Sequence, residues 1–333
     1  MDARGRACPL AYRYRPEALA QPPSLEADSL YVVGGLYGNL PALLAVLRRA
    51  EQEPDGATIV CNGDFHWLDV DPDDFRVVSE TVLDHHSIKG NVEAELASAE
   101  DAGCGCAYPD YVDDAVVDRS NLIMTRLRAT TRRFPSLVRR LGGLPQHLTA
   151  NVAGHRIGIV HGDPESLAGW RLALEAMEPG DPEVRRQVGW HGRPTTPADV
   201  LDWFRRADVD VFASTHTGLP YAQVLADGGR QRLVVNNGTA GLANFAGTTY
   251  GVITRLSSDP RPPADSLYGT SIGRLRCDAL PVRFDPEAWT ARFLAQWPPG
   301  SPGHRSYLTR ITHGTHLQPR QAARDGVRLT APA

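Results

Sequence analysis

The chain has 333 residues, 42% of them hydrophobic and 22% charged, an ordinary globular composition with length enough to bury a large core. A balance of 35 basic against 39 acidic residues leaves a formal charge of -4, which excludes the broad positive field that nucleic acid or an anionic membrane would need. No stretch approaches the roughly 20 apolar residues of a membrane span, and residues 1–30 hold no apolar run suited to a signal peptide core, so a cytoplasmic protein is expected. Cys8, Cys61, Cys104, Cys106 and Cys277 are odd in number and irregularly spaced, which predicts reduced thiols rather than a disulfide framework.

Residues 1–27, rich in Arg and Pro, read as an irregular arm. A β-rich run at 29–33, the Gly-rich turn 34–39 and an apolar helical pattern at 41–50 then spell strand, turn, helix. The unit recurs with a strand at 57–61, the turn Asn62, Gly63, Asp64 and a helix at 72–83. A third strand starts at Ser87 and enters a helix at 91–96. Strands alternating with helices predict an α/β sheet whose ligand-bearing turns sit at the carboxyl ends of its strands.

The rhythm breaks over about residues 100–143. A loop at 103–109 carries Cys104 and Cys106, and 111–141 reads as two helices, a helical insertion over one edge of the site. Arg132, Arg133, Arg139 and Arg140 fall on its solvated face. A hairpin follows over 147–160, its second strand delivering His161 to the turn at its end. Beyond an irregular section to Gly192 come a helix at 197–206 and a strand ending at Ser214, just before His216. Short strands at 221–225, 232–235 and 250–253, a strand at 279–284 and a helix at 286–296 precede a polar tail. The chain reads as one domain with embellishments.

Four of these turns carry an oxygen or imidazole ligand after a strand: Asp64, Asn91, His161 and His216. Singly, each has a plain structural use, such as capping a helix. Cys104 and Cys106 lack the spacing of a zinc knuckle and read as loop residues. His85 and His86 end a helix at the surface, and His147, His155, His191, His304, His313 and His316 fall in loops or hairpins without a ligand pattern.

Taken together and in order, the turns from about Ser29 to Ile253 resemble the calcineurin-like metallophosphoesterases. That family's blocks read Asp-x-His-Gly-Asn, Gly-Asp, Gly-Asn-His, a lone His after a strand, and Gly-His-x-His. Here the first appears as Gly35, Tyr37, Gly38 and Asn39, the second as Gly63 and Asp64, and the third as Gly90, Asn91 and Val92. The fourth is His161 and Gly162, and the fifth Thr215, His216, Thr217 and Gly218.

The resemblance implies two packed mixed β-sheets flanked by helices, an α/β sandwich spanning 28–298, followed by an extension at 299–333. It also implies a two-metal site bridged by the aspartate of the second block. One ion's set maps onto Asp64, Asn91, His161 and His216 and is complete. The other relies on positions held here by Gly35, Tyr37 and Gly218. Two imidazoles, a carboxylate and an amide oxygen suit one divalent Zn, Mn, Fe or Ni ion. The family's histidine after the asparagine is Val92, which cannot transfer protons; His66, Glu93, Asp163 and Tyr37 are the candidates to replace it, although Tyr37 and Val92 also read as packing residues filling the vacated space. The turn at Gly38 and Asn39 opens a helix whose N–H groups suit a substrate anion. The expected function is metal-dependent hydrolysis of a small phosphomonoester or phosphodiester. The alternative is an inactive phosphoesterase fold kept as a binding or regulatory module.

Overall fold

The computed structural model describes residues 4–330. Two short 3-10 turns lead into β1 (Leu25–Ala27) and β2 (Ser29–Val33), then α1 (Leu40–Glu51), β3 (Thr58–Asn62), α2 (Pro72–Leu83), β4 (His86–Ile88) and α3 (Asn91–Ala97). The expected insertion is helical, as α4 (Asp114–Thr131) and α5 (Pro135–Gly142), and the hairpin is β5 (His147–Val152) with β6 (His155–Val160). After α6 (Pro182–Gln187) and α7 (Pro197–Ala207) come β7 (Val211–Ser214), β8 (Tyr221–Asp227), β9 (Arg230–Asn236), β10 (Gly251–Ser257), β11 (Tyr268–Ile272) and β12 (Leu275–Val282). The chain closes with α8 (Pro286–Gln296), α9 (Pro302–His313), α10 (Pro319–Ala322) and β13 (Arg328–Leu329).

These strands make two mixed sheets, one ordered β1-β5-β6-β7-β9-β8 and the other β13-β11-β12-β10-β2-β3-β4. Their layering follows from the two-residue period of a strand. In β2, Leu30 and Val32 enter the core shared with Leu148, Ala150, Ile157 and Ile159 of the facing sheet. Tyr31 and Val33 point the other way, onto α1 residues Leu43 and Val46 and α2 residues Phe75 and Val78. Burying each such Leu or Val contributes about 1.5–3 kcal/mol, so a slip of one residue in β2 would exchange two full core layers.

The register also positions the site. β2, β3 and β4 are parallel neighbours, as are β6, β7 and β9. Their carboxyl ends carry the turns that hold Asp64, Asn91, His161 and His216.

Two expectations need correction. The expected irregular arm contributes a strand, because β1 pairs in parallel with β5, and the buried Tyr12 donates its hydroxyl to Glu95 Oε1 at 2.7 Å. The expected polar tail contains α9, begun by Ser301, whose side chain accepts from His304 N, with Pro302 in the first turn. Both are strong helix-start signals. The apolar content of α9 is thin, but Ile311 is buried and packs with the outer helical layer.

Candidate metal centre

The aspartate is placed by backbone geometry. Gly63 and Asp64 both take left-handed φ values, 79° and 57°, a conformation that costs a non-glycine residue unless its surroundings hold it there. Here they do: the Glu93 carboxylate accepts from the backbone N–H of Asp64, Phe65 and Gly90 at 2.8–2.9 Å. A Cβ on Gly63 would stand 2.4 Å from Gly90 N, and one on Gly90 would stand 2.3 Å from Asp64 Oδ1. The two turns therefore meet only because both lack a side chain.

His161, fully buried, is the hub. Its Nδ1 lies 2.8 Å from the carbonyl oxygen of Asn62, which places the proton of the neutral ring there and leaves Nε2 as a lone pair. His216 Nε2 lies 3.0 Å from Cys106 O, which by the same reasoning leaves its Nδ1 as an acceptor. Asn91 donates from Nδ2 to Cys104 O at 2.9 Å, turning its Oδ1 inward. Around His161 Nε2 then lie Asn91 Oδ1 and His216 Nδ1 at 3.2 Å and Asp64 Oδ1 at 3.4 Å.

Such convergence of acceptors repels itself in neutral form and needs a cation. The observed spacings match the edges of a tetrahedral coordination shell, about 3.3–3.4 Å for metal–ligand bonds of about 2.0–2.1 Å. The residues present thus fit a divalent ion. The carboxylate and two imidazoles form the only cluster of this kind among the described residues.

The electrostatics agree. Burial opposes charge on Asp64, yet the adjoining His161 holds its carboxyl below the usual range. Burial likewise disfavours a charged His161, but Asp64 outweighs it and raises the imidazole. His216 is pushed down to about 4 by burial and then by its neighbour His161, so at neutral pH it is an uncharged ligand.

Facing this cluster across a cavity of about 130 Å³ is a second wall built from Tyr37, Trp67, Tyr307 and Arg310. Tyr37 packs edge-on against Tyr307, ring centres 6.2 Å apart, and a Cβ on Gly35 would stand 2.7 Å from the Tyr37 ring. Gly35 and Tyr37 thus fit as a pair, the ring taking the space a side chain at 35 would need. Trp67 Nε1 donates to Tyr307 Oη at 2.7 Å. Arg310 donates from Nε to Ala243 O at 2.9 Å and from Nη2 to Gly218 O at 2.7 Å and Thr239 Oγ1 at 3.2 Å.

Of the candidates named from sequence, Tyr37 lines the cavity together with Asp64, Asn91 and His216. The others face elsewhere. His66 has both ring nitrogens taken, by Asp69 Oδ2 at 2.9 Å and Ser79 Oγ at 3.0 Å, and it packs on Phe75. Glu93 is spent on the three backbone donors of the two turns. Asp163, pushed up to about 6 by burial, accepts from the N–H groups of Glu165, Ser166 and Arg171 and so closes its own loop. Asn39, the expected anion contact, uses Oδ1 to cap α1 at Ala42 N and Nδ2 to hold Gly241 O. Val92 is buried, and its N–H donates to Asp64 Oδ1 at 3.2 Å.

Several contributors escaped the sequence reading, Trp67 among them. Tyr307 and Arg310 come from α9, whose start signals were present but whose pattern was read as a tail. Cys104 and Cys106 act through their carbonyl oxygens, which orient Asn91 and His216; a backbone role leaves no trace in residue type. The insertion's reach over the site is carried by that loop, to which Trp170 is also tied by donation from Nε1 to Cys106 O at 2.9 Å.

A family model described as calcineurin-like phosphoesterase matches residues 29–234. Among solved structures, a metallophosphoesterase from Sphaerobacter thermophilus is similar at 18% identity, with a TM-score of 0.52, covering 87% of this chain and 100% of that one. A hypothetical protein from Pyrococcus horikoshii OT3 is similar at 14% identity, with a TM-score of 0.53, covering 88% and 100%. At these identities the likeness speaks for the fold. No curated protein matches the sequence. Among the described residues no helix is long and apolar enough to cross a membrane.

Proposed function

The chain belongs to the calcineurin-like phosphoesterase family, and from that premise we propose a hydrolase that cleaves a small phosphomonoester or phosphodiester with a single divalent ion held by Asp64, Asn91, His161 and His216. The observation that carries this reading is the meeting of four lone pairs, that of His161 Nε2 and three around it, with both histidines and Asn91 each fixed by a backbone carbonyl behind the ligand. The mixed nitrogen and oxygen set suits Zn, Mn, Fe or Ni. Across the cavity Gly35 and Gly218 carry no donor atoms, and burial, then Tyr307, keep the Tyr37 hydroxyl protonated well above its ordinary range. Both features support the single-ion reading.

When bound, a divalent ion supplies Lewis-acid charge to a phosphoryl oxygen. The chain's own contribution is positional. Asn62 O and Cys106 O fix which ring nitrogen of each histidine bears the proton, and Glu93 holds the turn that aims Asp64. Tyr37, whose hydroxyl is held protonated well above its ordinary range by burial and then by Tyr307, is a donor for a substrate oxygen.

Metal content and turnover test this together. Purified protein is expected to hold one equivalent of ion and to hydrolyse p-nitrophenyl phosphate or its bis ester with at least one of Mn, Zn, Fe or Ni, and His161→Ala is expected to lose both. Two equivalents would overturn the single-ion reading. One specific observation favours the alternative, an inactive binding module: Val92 provides no proton donor for a leaving group. Stoichiometric ion without turnover on either ester would establish it.

A further inference from the structure

The second wall of the cavity is organised around one cation with no anion to match it. Arg255 is buried against Glu53 and Asp278, and the partly buried Arg232 pairs with Asp210 and Asp227. Arg310, by contrast, reaches the cavity and is held by Ala243 O, Gly218 O and Thr239 Oγ1, neutral acceptors all. No carboxylate among the described residues lies within ion-pair distance of it. Those three bonds occupy Nε and Nη2, while Nη1 makes no hydrogen bond among the described residues. Arg310 is partly buried, and a fixed charge facing a cavity with no counter-charge beside it attracts an anion.

Geometry says where that something sits. Arg310 lines the same cavity as Asp64, Asn91 and His216, and α9 is anchored so that the guanidinium cannot swing out: Tyr307, one turn earlier, is gripped by Trp67. With Nε and both Nη2 hydrogens held, the charge and the two N–H groups of Nη1 are what remain to meet a phosphoryl oxygen.

We propose that Arg310 is the anion subsite of this centre, binding the non-bridging oxygens of a phosphoryl group and selecting a dianionic phosphomonoester over a monoanionic phosphodiester. The proposal rests on the phosphoesterase reading for the identity of the anion, though not for the existence of the subsite. With a divalent ion on Asp64, the cavity-facing charges sum to about two positive units, which a monoester dianion balances and a diester leaves half unmet.

The test titrates metal-loaded and metal-free protein with inorganic phosphate and with dimethyl phosphate by calorimetry. Wild type is expected to bind phosphate at least tenfold tighter than dimethyl phosphate. Arg310→Met, which keeps the stem and removes the charge, should weaken phosphate binding at least tenfold while retaining the same metal equivalents and thermal midpoint as wild type. Arg310→Lys should fall between them, keeping charge but losing the fork. Folded Arg310→Met with wild-type phosphate affinity overturns the proposal, as does equal affinity of wild type for the two anions, a result independent of whether the variants fold. If wild type holds no metal yet metal-free protein binds phosphate in a way lost in Arg310→Met, the hydrolase reading fails and the anion subsite stands.

Discussion

The two walls of the cavity are opposites in polarity and in origin. One is made by turns at strand ends and gathers acceptors: Asp64 Oδ1, Asn91 Oδ1, His161 Nε2 and His216 Nδ1. Its partner is made by the turns after β2 and β3 and by α9, far away in sequence, and gathers aromatic rings and one guanidinium. Acceptors on one side call for a cation and donors on the other for an anion. The proposed ion and oxyanion would each meet the wall of opposite character.

The largest effect expected from breaking the first wall is that of His161→Ala. Removing the atom that the other three ligands surround should lower metal affinity by more than about 100-fold, beyond the 10–100-fold typical of losing an outer-shell partner. A thermal melt reads this directly, because an ion at 100 times its dissociation constant stabilises the folded state by about 2.7 kcal/mol. Wild type should melt higher with metal than without, and His161→Ala should show no difference. A persistent metal-dependent shift in the variant would mean that the ion sits elsewhere.

Glu93→Ala probes the support behind that wall. Three backbone N–H groups lose a charged acceptor at once, and each such bond contributes about 1.5–3 kcal/mol, with non-additivity among neighbours. A loss on the order of 3 kcal/mol in urea unfolding is expected, accompanied by weaker metal binding as Asp64 loses its held conformation. Stability lost without change in metal affinity would show that Asp64 is aimed by something other than Glu93.

On the opposite wall the informative change is Gly35→Ala. The added methyl meets the Tyr37 ring, and overpacking of this kind costs about 1–3 kcal/mol. In a Tyr37→Ala background the same substitution should cost nothing, so urea midpoints of the two single variants and the double variant should depart from additivity by the full clash. Additive behaviour would refute the pairing of Gly35 with Tyr37.

How much of this was legible beforehand divides along the same line. The acceptor wall was readable because each ligand closes a strand whose apolar run is short and unmistakable, and because a strand end fixes where the next side chain goes. Its neighbour in sequence, His66, shows the limit: two residues past Asp64, it is turned by the left-handed φ of that residue toward α2 and is consumed by Asp69 and Ser79. The donor wall was not legible. Arg310 stands in a helix with few apolar positions, and its role depends on contacts with Gly218 and Thr239 made across 92 and 71 residues of chain. The arm at the amino end was misread for a like reason, since a three-residue strand such as β1 has too few positions to show a period.

Acid titration of the metal-free protein gives the smallest effect, because two shifts within the first wall oppose each other. His216 has a folded value of about 4 against an ordinary 6.5, so its contribution is fully present above about 6.5 and declines as the pH falls toward 4, the unfolded ring taking a proton that the folded one refuses. His161 is raised above 6.5 by Asp64 despite burial. Its contribution is therefore fully present below 6.5 and is lost as the pH rises through its folded value. Asp64, lowered from 3.8, titrates below this window and is the same interaction seen from its partner. Asp163, pushed up to about 6 by burial, opposes the His216 rise between about 4 and 6 in every variant, so the rise is read as a difference: relative to His216→Asn, the wild-type urea midpoint should gain with pH between about 4 and 6.5 and then level off, the His161 fall above 6.5 being common to both. If the fall disappears in His216→Asn, the two rings titrate as one unit and cannot be assigned separate roles.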